Sequence, residues 1–414
     1  MLSTAARAYA RCWPALLAWF LAGWTARLLL LRVAADVGNH VPLVGQLILP
    51  LAVIARLASY VAMFLVLKDA LPRVVAADPP RADGGRVSFA PRWGAAISAA
   101  ILPFFVIYAA WGMISEDGWD YAAASLDQAD LFDGQSADAL DVVVDVWSLG
   151  IVAIAFAGRL LLQRFSNRLP RWTSAIAAYL EAVWVLVALL VIREALAGVP
   201  GWLATRRMFA PIVDAVTLWR QDQAWFAWLG DAASWLMTQL GDVVFQPLAW
   251  VALAAVVYAG ARTRRDAAAP NARVARARAA VEARWSRLPG WARRGAIAVT
   301  GGFQERWVPI GAAVRLIWSA GPVTLATFLF AYAAVHAAGE WIGIGVMRLL
   351  GPHETAFWMA IDEPVDLLVV ALVVPMQLAL VGGAYDTALA RTAPEASAVV
   401  TPAPDGTPAE APGR

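Results

Sequence analysis

RWTSAIAAYLEAVWVLVALLVIREALAGV, residues 171–199, and FQPLAWVALAAVVYAGARTRR, residues 245–265, read as the two legs of one complete membrane hairpin. The first leg opens on Arg171-Trp172 and stays apolar to Val199, and the second returns through Pro247-Leu248-Ala249-Trp250 to Arg262, Arg264 and Arg265. About 20 apolar residues suffice to cross the hydrocarbon core of a bilayer. Arginine outside such a run keeps its charge in water, and tryptophan at the margin places an amphipathic ring at headgroup level.

The same parts recur along the chain. An arginine followed closely by tryptophan and then a small residue or proline stands at Arg11-Cys12-Trp13-Pro14, Arg92-Trp93-Gly94, Arg171-Trp172-Thr173 and Arg315-Leu316-Ile317-Trp318-Ser319. The cores of the return legs are Leu51–Ala55, Leu149–Ala153, Leu248–Ala252 and Leu367–Ala371, with first leucines 98, 99 and 119 residues apart. Spacing of this kind is the signature of internal duplication, although Ala- and Leu-rich membrane helices also resemble one another by composition alone.

Composition fixes the class. With 61% hydrophobic and 15% charged residues, a soluble domain of 414 residues would lack polar surface, so a multi-pass membrane protein is the fit. The basic set is 32 Arg to a single Lys, Lys68, which points to a high-GC bacterial genome. The one cysteine, Cys12, excludes an intramolecular disulfide and a cysteine-based metal cage.

The chain therefore reads as an all-α integral membrane protein of about eight transmembrane helices in four repeated hairpins. Residues 1–92 are hairpin one and a cytosolic loop, and 93–170 are hairpin two with an outer loop rich in acid from Glu116 to Asp141. Residues 171–265 are hairpin three, whose outer connection carries Trp202, Trp219, Trp225, Trp228 and Trp235 interrupted by charges and reads as two interfacial helices. Residues 266–308 are basic and cytosolic, 309–391 are hairpin four, and 392–414 form a proline-rich disordered tail. Within 271–289, Val274, Val281, Trp285 and Leu288 share one helical face flanked by arginines, which suits a helix on anionic inner-leaflet lipid or a solvated basic loop. In the eight-span arrangement 25 basic residues lie inside, seven outside and one at mid-depth, which places both termini in the cytoplasm of a bacterial inner membrane.

Two constellations stand out. Arg56 lies ~18 Å below the outer start of its helix, and Glu181 about 13 Å from the inner face of a core of roughly 30 Å, so the depths match and an ion pair between them is expected. His336, Glu340, His353 and Glu354 form a candidate polar cluster at the outer face, with the residue types of a metal or proton-relay site but loose spacing. The acid of residues 116–145 lacks the order of a calcium loop and reads as solvated. No Gly-rich phosphate loop, nucleophile elbow or HExxH is present, so the expectations are no catalytic set, no cofactor, no bound metal and no nucleic acid. Two functional readings follow: a permease-like transporter of a small or amphipathic solute, and a non-catalytic scaffold for an envelope complex that docks a protein partner on its outer loops.

Overall fold

The structure, a computed structural model, describes residues 1–76, 89–128, 146–165, 173–206, 224–260 and 320–392, with Pro170 and a few isolated positions between 206 and 224. The basic 271–289 segment, most of the proline-rich tail and most of the acidic loop beyond Gln128 lie outside the described residues. What is described is helical and without strands: α1 (Leu2–His40), α2 (Pro42–Ala70), α3 (Pro72–Ala76), α4 (Phe89–Ala110), α5 (Met113–Gln128), α6 (Val146–Arg164), α7 (Thr173–Ala204), α8 (Ala224–Leu240), α9 (Gln246–Gly260), α10 (Pro322–Leu350) and α11 (Thr355–Thr392).

Seven of these segments are long and apolar enough to cross a membrane, among them one that runs from Trp228 to Ala259. The second leg of the expected hairpin two is, among the described residues, a shorter apolar helix over Gly150–Leu162, so seven full-length candidates lie among the described residues. The second interfacial helix expected in the third outer loop is instead α8, which continues into α9 through a single π-helical turn, Gly241–Phe245.

α1 and α2 are joined at Val41 and held together by small residues. At Gly45 a Cβ would come to 2.5 Å from the Gly38 Cα and 2.6 Å from the Ala34 carbonyl oxygen, so the backbones touch there. Close approach through glycine and alanine replaces the hydrophobic drive that is weak between helices in lipid. Ser59 sits over Gly23 in the same manner and donates to the Trp19 carbonyl at 2.8 Å. At the other end of the hairpin α11 packs Gly383 against Ala5, and Asp386, fully buried, accepts from the backbone N–H groups of Arg73 (2.8 Å) and Val74 (3.1 Å). Those groups are unpaired donors in the first turn of α3, so a carboxylate from α11 caps α3.

Two features break a simple alternation of hairpins. Trp93, Phe104 and Tyr108 of α4 meet Ala58, Tyr60 and Arg56 of α2 respectively. Fifteen residues of α4, about 22 Å, thus face four residues of α2, about 6 Å, and α4 crosses α2 steeply. Second, the Tyr179 hydroxyl donates to the Leu47 carbonyl at 2.7 Å, while Arg193 donates to Ser115 at 2.8 Å, near the Glu116–Asp117 pair that faces Arg56. From 179 to 193 α7 therefore runs in the same direction as α2 from 47 to 56, whereas the four-hairpin arrangement has the two antiparallel.

Candidate functional site

The buried stripe of α1 is Leu16, Phe20, Gly23, Arg27, Leu31, Ala34 and Gly38, a three- and four-residue spacing that places a guanidinium among apolar side chains. Arg27 is 2% exposed, and its charge is met by α5. Gly112, at φ 74°, turns the chain back after α4, and α5 then lays Asp117, Tyr121 and Ser125 against α1. The Arg27 Nε donates to Asp117 Oδ1 at 2.8 Å, and its Nη2 donates to both Asp117 and Asp120. Further along, Asn39 donates to the Ser125 carbonyl at 3.0 Å and accepts from its hydroxyl at 2.6 Å, which fixes the register of the two helices.

Arg56 enters the same cluster from α2. Its Nη1 donates to the Tyr108 oxygen at 3.0 Å, Tyr108 in turn donates to Asp117, and the Arg56 guanidinium lies 3.9 Å from Asp117 and 3.8 Å from Glu116. Trp24 and Tyr108 cover the two guanidinium groups, each with its ring centroid 5.6 Å from the guanidinium carbon. Charges removed from water persist only when paired and hydrogen-bonded, and this network meets both conditions.

The sequence-based pair of Arg56 with Glu181 is corrected by this geometry. Arg56 is held by Tyr108, Asp117 and Glu116, while Glu181 lies 3.4 Å from Arg159 of α6. The reason is the direction of α7. Glu181 follows Tyr179, which is level with Leu47, and Arg56 is nine residues farther along α2, about 13 Å away. Matching depths had been counted from opposite faces.

The four-residue polar cluster divides as well. His336 and Glu340, one turn apart on α10, line a cavity of about 220 Å³ with Tyr60, Trp250, Tyr332 and Asp366. His353 and Glu354 belong to the turn into α11: the His353 ring stacks on Phe357 at 4.1 Å, and the Glu354 carbonyl accepts from Phe357 and Trp358. Ten residues of helix, about 15 Å, separate Glu340 from the end of α10, so the two halves cannot converge. No group of three metal-ligating side chains forms among the described residues.

A second cavity of about 490 Å³ lies between α1, α5 and α11, and its wall includes Arg27, Asp120, Asp362, Glu363 and Asp366. The two cavities meet at Asp366. Asp362, Glu363 and Asp366 form no ion pair among the described residues, and with Asp127 they outnumber Arg32 on the same wall, so the cleft is anionic beyond the neutralised guanidinium of Arg27. Arg27, Tyr108 and Asp117 were missed by reasoning from sequence. The signal was present in Asp117, Tyr121 and Ser125, four residues apart on one helical face, within a stretch read as a solvated loop. Comparisons with protein-family models, with curated proteins and with solved structures found no match to this chain.

Proposed function

We propose that this membrane protein is a permease-like transporter of a small solute, bound in the cleft between α1, α5, α10 and α11, and that it resides in a bacterial inner membrane with both termini in the cytoplasm. The observation that carries the reading is the Arg27–Asp117–Tyr108–Arg56 network, which reaches the wall of that cleft through Arg27, with unpaired carboxylates on the same wall. Ionisable side chains inside a helical membrane bundle are costly, and where they face a cavity they mark substrate or ion pathways. In this reading the repeated hairpins form the walls that rock around the site, and the basic 271–289 segment grips anionic inner-leaflet lipid.

The test is uptake by purified protein in proteoliposomes, measured across a panel of labelled cations, zwitterions, anions and neutral amphiphiles. A transporter gives saturable uptake of one class, reduced at least about tenfold by Asp366→Asn or Glu340→Gln, which lie on the cleft wall. If vesicles with protein are as tight as empty ones to the whole panel, the transport reading falls. The scaffold reading would then stand on the exposed indoles of α8, Trp225, Trp228 and Trp235, as a surface for an envelope protein.

A further inference from the structure

The cavity of about 220 Å³ joins two kinds of wall. One is aromatic: Tyr60 of α2 meets Trp250 of α9 edge-on, with ring centroids 5.3 Å apart at 80°, and Tyr332 of α10 completes the side. The other carries the carboxylates of Glu340 and Asp366, which have no ion-pair or hydrogen-bond partner among the described residues. Tyr60 is 8% exposed and Tyr332 6% exposed, both hydroxyl groups belong to residues that line the cavity, and neither has a hydrogen-bond partner among the described residues.

We propose that this cavity binds a small alkylammonium ion. The proposal rests on the transport reading only for its biological role, since binding itself stands on the cavity. An ammonium group is attracted to the faces of Tyr and Trp rings, and ligand sites for organic cations combine such rings with carboxylates. Its single N–H donates to the phenol oxygen of Tyr60 or Tyr332, its charge is balanced by Asp366 and Glu340, and its alkyl groups lie against Trp250 and the valines of α11, Val369, Val370 and Val373. An anion is disfavoured because the nearby guanidinium groups of Arg27 and Arg56 are already engaged by Glu116, Asp117 and Asp120. The volume falls below the range usual for drug-sized ligands, so the cation is small.

The experiment titrates the purified full chain in detergent with triethylammonium and trimethylammonium, following calorimetric heat and tryptophan fluorescence. The neutral isostere tert-butanol and the anion pivalate serve as controls. The expected result is saturable binding of the ammonium ions alone, weakened about tenfold or more by Asp366→Asn and by Glu340→Gln, with a smaller loss for Tyr332→Phe. Asp366 and Glu340 lie on exposed helix positions, so their substitution leaves the fold intact, which size-exclusion elution verifies. Absence of heat and fluorescence change with the folded parent overturns the proposal, as does binding unaltered by Asp366→Asn and Glu340→Gln. If ammonium ions bind but neither they nor any other solute of the panel enters proteoliposomes, the site stands and the transport reading fails. If another solute is transported and ammonium ions do not bind, the transport reading stands and the site fails.

Discussion

Asp117→Asn should be the most damaging single substitution at the charge network. Asp117 is 7% exposed and faces two guanidinium groups, Arg27 through a 2.8 Å hydrogen bond and Arg56 at 3.9 Å. At an effective dielectric of about 20, each attraction at ~4 Å amounts to about 4 kcal/mol before desolvation is subtracted. Leaving a buried charge without its partner destabilises by ~3–5 kcal/mol net. Arg27→Gln should cost less, about 1.5–3 kcal/mol, because Asp117 then retains Arg56 and the Tyr108 hydroxyl. The double variant should fall short of the sum by about 1–3 kcal/mol, the coupling of directly paired groups. Unfolding by sodium dodecyl sulfate in mixed micelles, followed by circular dichroism, measures all three. A loss of 3 kcal/mol is a change of more than about 100-fold in the unfolding equilibrium. The reasoning is refuted if Asp117→Asn lies within about 0.5 kcal/mol of the parent, or costs less than Arg27→Gln.

Three further outcomes are expected. Gly45→Ala should destabilise by about 1–3 kcal/mol in the same titration because its methyl meets the backbone of Ala34 and Gly38; Gly94→Ala, where the added Cβ meets nothing within 4 Å, should be neutral or stabilising. In a Cys12→Ser background, Leu47→Cys and Tyr179→Cys should be joined by a short bismaleimide, whereas Ala70→Cys, about 34 Å farther along α2, should not link to Tyr179→Cys; the reverse result would restore the antiparallel arrangement. Asp386→Ala should remove the cap of α3, cost about 1–2 kcal/mol and speed tryptic cleavage after Arg73, with an unchanged cleavage rate counting against the cap.

The sequence by itself determined that this is a helical, multi-pass membrane protein, and it did so through quantities that are local. Runs of apolar residues of the length of a bilayer, tryptophan at their margins and arginine beyond them are sufficient, since every backbone group of a lipid-exposed segment must be bonded within its own helix. It also singled out Arg56 as a charge at depth in apolar surroundings, and His336 and Glu340 as members of a polar cluster at the outer face. Only the tertiary structure decided which charges meet. Tyr179 of α7 packs level with Leu47 of α2, so Glu181 meets Arg159 of α6, while Arg56, nine residues farther along α2, meets Asp117 of α5. The acidic stretch after α4 shows the same limit in its sharpest form. By composition it belongs in water, yet a turn at Gly112 brings Asp117 into the bundle, where it supplies the countercharge without which two buried guanidinium groups would lie unpaired.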